Sequence, residues 1–209
     1  EPVLPPARIF LFGQFQVFDK EGEDITQLFT PVLRELFLLI LIYTIRKGRG
    51  ITAEELTEIL WLDKGVKDAK NNRSVNIAKL KSILERLGES LLVRQSGFWQ
   101  FQAPPAIYVD YQKYQELMSG DKTIGWDFLR ELMSIVKKGA FLTQTEYNWL
   151  DDIKVDISNA VIEICLKFIR DTEWGRPHPE FVIELANCIF QFDQLNEDAL
   201  EYKCKSLVA

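Results

Sequence analysis

Asn71, Asn72, Arg73, Val75, Asn76, Lys79 and Ser82 fall in one basic stretch, KNNRSVNIAKLKSILERLG, from Lys70 to Gly88, and Arg94 follows shortly after. These are not the residue types of a nucleophile, an acid–base pair or a metal site. They are amides, a hydroxyl, cations and one small apolar group. An Asn amide can pair bidentately with adenine, a Lys can donate to guanine, and a Val can meet a thymine methyl. Lys70, Arg73, Lys81 or Arg94 can hold phosphate oxygens, as can backbone N–H groups at helix starts. The chemistry on offer is recognition of a DNA duplex, with no metal and no cofactor.

Such a role needs these groups on one side of a helix. At about 100° per residue, Ile77, Leu80, Ile83, Leu84 and Leu87 gather on one face, with Arg73 at its edge. That face is the expected core side. Asn71, Asn72, Val75, Ala78, Lys79, Ser82 and Arg86 lie opposite, with no acidic residue among them. A solvated helix surface also suits Asn and Lys, and single exposed apolar residues are common.

The surrounding elements follow from periodicity and punctuation. Ile9, Leu11, Phe15 and Val17 carry the strand period, and DKEG at Asp19–Gly22 is a turn, giving two or three short antiparallel strands from Ile9 to about Ile25. Helix one spans Pro31–Arg46, with Thr30 as N-cap, and contains LFLLILIY, too short to span a bilayer and read as a buried core helix. Helix two starts at Thr52 with Glu55 completing a capping box and ends near Trp61, a plug between helices two and three. Helix three spans 68–87. A hairpin over 91–102 turns at Ser96-Gly97. In it Arg94 is the candidate for a phosphate or narrow groove. Gln95 and Ser96 suit a minor groove or a plain turn, and Trp99 and Phe101 are expected to pack inward.

The order strands, three helices, hairpin is that of a winged helix-turn-helix, whose third helix reads the groove. APPA at Ala103–Ala106 marks a linker. Beyond it the pattern is helical throughout, without strands. Leu150, Ile153, Ile157, Val161, Ile164, Leu166 and Phe168 form one broad stripe. The expected fold is mostly α with small antiparallel β elements. It divides into a linker at 1–7, a winged helix at 8–103 and an all-α, helical-hairpin domain at 104–209.

Charge separates these parts. The net charge is −6, yet residues 1–106 sum to +1, residues 107–209 to −7, and Lys64–Arg94 alone to +5. A local positive patch in an acidic chain points to a directed anionic partner. Cys165, Cys188 and Cys204 form no CxxC pair and read as small core residues in a reducing compartment. His178, the only histidine, sits between prolines as a loop residue. Asp151, Asp152 and Asp156 read as a charged helix face. Trp126, Tyr147, Trp149 and Trp174 line either a core or a ligand groove, the core being favoured. There is no phosphate loop, so an enzyme is not expected. The chain opens without Met and closes on Leu207-Val208-Ala209 without a stop signal, so it reads as a fragment, cytoplasmic and making no membrane contact, truncated at its C-terminal end.

These motifs, in this order, resemble the SARP-type regulators, which join an OmpR-type winged helix to a bacterial transcriptional activation domain. LFGQFQV (Leu11–Val17) is similar to the opening strands, TPVLRELFLLILI to the first helix and ITAEELTEILW to the second. AKNNRSVNIAKLKSILERLG is similar to the third, with Asn71, Val75, Lys79-Leu80-Lys81 and Leu84 in register. LVRQSGFWQF resembles the wing strand with its Gly97-Phe98 pair. YVDYQKYQEL resembles the opening of the activation domain, and FQFDQLNEDALEYKCKSLVA a tetratricopeptide-like (TPR-like) helix pair. The resemblance implies a transcription regulator in signal transduction. It implies double-stranded DNA as partner of the first domain, and self-association or contact with RNA polymerase or another protein through the second. The competing expectation is an interaction scaffold whose winged helix no longer binds DNA.

Overall fold

The structure, a computed structural model, describes residues 4–120, 123–172 and 178–208. It is mostly helical with small strands: an N-terminal winged helix and a C-terminal helical domain. Two compact units are found. Unit 1 is Glu1–Phe10 with Gln16–Gln115, and unit 2 is Leu11–Phe15 with Glu116–Ala209.

In unit 1, β1 (Arg8–Phe10) pairs antiparallel with β2 (Gln16–Phe18). The alternation expected through Leu11 and Phe15 is not continued. Residues 9–13 are all buried, and Leu11–Phe15 belongs to unit 2. The turn at Asp19–Gly22 forms as expected, Gly22 N–H donating to Asp19 O at 2.9 Å. A 3-10 turn at Thr26–Leu28 leads to α1 (Pro31–Lys47). Thr30 is the N-cap residue, but its side chain makes no capping bond. Pro31, already fixed in φ, starts the helix instead. Residues 36–42 are all buried, so the middle of α1 is enclosed on every side. Phe37 meets Phe29 and Phe101, each at 5.3 Å between ring centroids.

Next come β3 (Ile51–Thr52), α2 (Ala53–Leu60) and α3 (Val66–Leu84). The capping box is present. Thr52 Oγ1 accepts from Glu55 N–H at 3.0 Å, and Glu55 accepts from Thr52 N–H at 2.8 Å. Thr52→Ala is expected to cost about 1 kcal/mol; an unchanged urea midpoint would show that the cap contributes nothing. Helix three starts two residues earlier than the sequence suggests, with Gly65 as N-cap, and stops at Leu84 rather than Leu87. There the bonds shorten to Arg86 N–H on Ile83 O and Leu87 N–H on Leu84 O.

The hairpin is β4 (Leu92–Gln95) and β5 (Phe98–Phe101), and β3 extends it on the β5 side. Ser96 (φ 52°) and Gly97 (φ 87°) make the two-residue turn that matches strand twist. Thr44 joins the hairpin to α1, accepting from Phe101 N–H at 3.1 Å and donating to Ile40 O at 2.7 Å. Within the half expected to lack strands, β6 (Tyr108–Val109) pairs parallel with β1. A two-residue strand carries no alternation to read. It leads into α4 (Asp110–Ser119).

Unit 2 contains α5 (Trp126–Val136), α6 (Asp151–Thr172), α7 (Pro179–Phe192) and α8 (Glu197–Val208). A bridge between Phe12 and Phe141 ties the 11–15 segment into it. On α6 the buried line is Ile153, Ile157, Val161, Cys165, Leu166, Phe168 and Ile169. Ile164, expected in the stripe, is only half-buried, because the i+3/i+4 rhythm places Cys165 inward instead. The α7–α8 connection is built by Asp193, which accepts from Leu195 N–H and from Asn196 Nδ2, while Asn196 Oδ1 caps Ala199 N–H at 3.0 Å. Cys165 and Cys188 are buried, but Cys204 is exposed, a correction to its reading as a core residue. Its helix presents it on the outer side. His178 is an exposed residue at the start of α7.

Candidate nucleic-acid interface

Helix α3 lies against the unit through Ala69, Ile77, Leu80 and Leu84. These fix which side remains outside. Asn71, Val75, Lys79 and Ser82 are exposed, with Lys70, Ala78 and Lys81 beside them, and no acidic residue occurs from Ala69 to Leu84. Among the described residues, the side chains of Asn71, Lys79 and Ser82 make no hydrogen bond. Val75 is 52% exposed.

Three of the expected residues are turned partly inward. Asn72 Nδ2 donates to Asp68 O and Asn76 Nδ2 to Asn72 O, both at 2.8 Å, so each amide spends a donor on its own helix. A bidentate adenine contact from either needs that bond released. Arg73 Nη1 donates to Thr57 Oγ1 at 2.7 Å and Ala53 O at 3.2 Å, so it joins α3 to α2. Arg86, assigned by the helical wheel to the outer face, is removed from it. The helix has already ended, and the guanidinium reaches back to Asp19 at 2.6 Å. The wheel's 100° step does not apply beyond Leu84.

The hairpin supplies the second part. Cross-strand pairs share a face, and Leu92↔Phe101 and Arg94↔Trp99 follow one another in register. Leu92 and Phe101 are buried in the core, whereas Arg94 and Trp99 continue that face beyond it. Trp99 is therefore not a core residue like Phe101. Lys81 Nζ lies 5.4 Å and Arg94 Cζ 5.9 Å from its ring centroid. On the opposite face Arg49 stacks over Phe98 at 4.8 Å and accepts at its carbonyl from Gln100 Nε2 at 2.9 Å. The tip residues Gln95 and Ser96 are exposed. Sequence reasoning missed the grouping of Lys81, Arg94 and Trp99. Strand alternation places Arg94 and Trp99 together, but nothing local brings a helix lysine to them.

Trp61 is buried at the end of α2, as expected for a plug. In unit 2, Trp126 packs on Phe181 at 4.4 Å and Phe168 at 5.3 Å, while Tyr147 and Trp149 stack at 5.7 Å. Trp174 lies outside the described residues. Asp151, Asp152 and Asp156 form an exposed helix face, as expected. Among the described residues no group of three or more His, Cys, Asp or Glu is placed to hold a metal ion, and no helix is long and apolar enough to cross a membrane.

No protein-family model matches the chain, and no curated protein matches it. Among solved structures it is similar to Mycobacterium tuberculosis EmbR in complex with a low affinity phosphopeptide. The TM-score is 0.55 at 13% identity over 97% of this chain. The likeness is one of fold, and the chain spans 59% of the EmbR chain.

Proposed function

We propose that this chain is part of a sequence-specific, DNA-binding transcription regulator of the SARP type that its sequence resembles. In this reading residues 8–103 are the DNA-binding domain, α3 lies in the major groove and the 91–102 hairpin is the wing. Residues 104–209 are a TPR-like activation domain that self-associates or contacts RNA polymerase or another protein. Asn71, Val75, Lys79 and Ser82 face the bases. Asn72 and Asn76 join them when their intrahelical bonds open. Arg73 and Arg94 serve phosphates. The observation that carries the reading is the exposed, acid-free side of α3, where the side chains of Asn71, Lys79 and Ser82 have no internal hydrogen bond to lose on contact.

The test is fluorescence anisotropy of a mixed-sequence duplex at low and moderate salt. Binding is expected to weaken steeply with salt through counterion release. Lys79→Ala is expected to cost about tenfold in affinity. A salt-independent affinity, or an unaltered Lys79→Ala variant, would falsify this assignment. A second reading has its own observation. Leu62, Val66 and Val75 are all exposed, Val66 at 89%, and such groups suit a protein partner. If no duplex binds at low salt, this reading takes over, and the winged helix is a protein-docking module in an acidic scaffold.

A further inference from the structure

Between the C-terminal half of α3 and the wing lies an open cleft of about 420 Å³. Lys81, Glu85, Ser90, Arg94 and Trp99 line it. Its two cations come from different elements and converge on the one indole. A positively charged side chain over an aromatic face is held there by the ring quadrupole. The backbone that carries the indole is held on both sides, since β5 pairs with β3 at Ile51↔Trp99 and with β4 at Arg94↔Trp99.

We propose that Trp99 is a positioning residue that gathers Lys81 and Arg94 into a single clamp for one phosphate of the DNA backbone. A long lysine or arginine side chain loses rotamer freedom when it binds. Docked on Trp99, both side chains have already lost much of it. Among the described residues neither Lys81 nor Arg94 forms an ion pair with a carboxylate, so their donors remain available to an anion. Glu85, on the cleft wall, sets a limit. Its charge opposes an anion in the cleft, so both cations are needed together to outweigh it. The clamp would fix the register of the wing against the duplex and carry no base information.

The clamp rests on the duplex-binding reading, and its test separates the two. Binding of a mixed-sequence duplex to the full chain is measured across a salt series for wild type, Trp99→Leu, Trp99→Phe, Lys81→Gln and Arg94→Gln, and for each glutamine variant combined with Trp99→Leu. Trp99→Leu is expected to weaken binding about fivefold and to lower the slope of log affinity against log salt by about one. Lys81→Gln and Arg94→Gln are expected to lose most of their effect in the leucine background. Trp99→Phe, which keeps an aromatic face, is expected to restore most of the affinity. A merely structural Trp99 would lower the melting temperature without altering the salt slope, and the lysine and arginine effects would add independently of it. That result overturns the clamp while leaving DNA binding intact. If Trp99→Leu does not fold, the Lys81→Gln/Arg94→Gln cycle in the native background decides. Non-additive losses support a shared phosphate, and additive losses overturn it. Absence of any duplex binding by wild type at low salt overturns both readings together.

Discussion

Gly50→Ala is expected to destabilise unit 1 by about 3 kcal/mol, whereas Gly48→Ala, two residues earlier, is expected to cost only about 1 kcal/mol. Both glycines have positive φ, 69° at Gly48 and 78° at Gly50, so an alanine at either meets the same left-handed penalty. They differ in space. A Cβ on Gly48 meets nothing within 4 Å, but one on Gly50 lies 2.1 Å from Trp99 O and 2.7 Å from Gln100 Cγ. The first of these is the backbone of the Ile51↔Trp99 rung of the β3–β5 pair, so relief requires the strands to separate there. Because β5 carries Trp99, the same substitution is expected to weaken duplex binding as well. Urea unfolding of the two variants side by side is the measurement. Equal losses would mean that the strand contact does not resist the methyl group.

Asp19 and Arg86 give the second large effect. Asp19 has no accessible surface, though it lies close beneath the molecular surface, and its four hydrogen bonds divide evenly between its oxygens. Oδ1 accepts from the N–H groups of Glu21 at 3.1 Å and Glu23 at 3.0 Å. Oδ2 accepts from Arg86 Nε at 3.1 Å and Nη2 at 2.6 Å. Asp19→Asn keeps the shape but cannot serve both sides. Its oxygen can satisfy the turn only by aiming its NH2 at the guanidinium. The expected loss is about 2–3 kcal/mol, and Arg86→Ala is expected to be of similar size and not additive with it.

Acid dependence follows from the same geometry. Burial acts to raise the Asp19 pKa, but the Glu23 N–H, the Arg86 side chain and the Glu21 N–H together hold it below its ordinary value of 3.8. A carboxylate whose pKa is lower folded than unfolded adds stability above the unfolded value and loses it as pH falls through the folded one. The stability gap between wild type and Asp19→Asn is therefore expected to be full at neutral pH and to shrink below about pH 4. A gap that stays constant down to pH 2 would show that the Asp19 charge contributes nothing.

Much of this protein was determined by sequence alone, wherever the signal is local. The Thr52–Glu55 capping box, the Ser96-Gly97 turn, Pro31 at the start of α1 and the apolar line on α3 each need only neighbours in the chain, and each stands where its pattern indicates. The side of α3 left to solvent follows from the same periodicity. Tertiary structure decided what depends on residues far apart. The strands at Ile51–Thr52 and Tyr108–Val109 are too short to have a period and exist only because partners stand beside them. Leu11–Phe15 carries a strand pattern, yet long-range pairing with residues near Phe141 places it in unit 2. Arg86 left the outer face of α3 because a buried carboxylate sixty-seven positions away offers a better partner than water. Arg73 is likewise held by Thr57, and Lys81 meets Trp99 only because the hairpin folds back over α3. Helix and turn propensities act over a few residues, so sequence can specify them directly. Charge pairing and aromatic stacking act between surfaces, which exist only after the chain has folded.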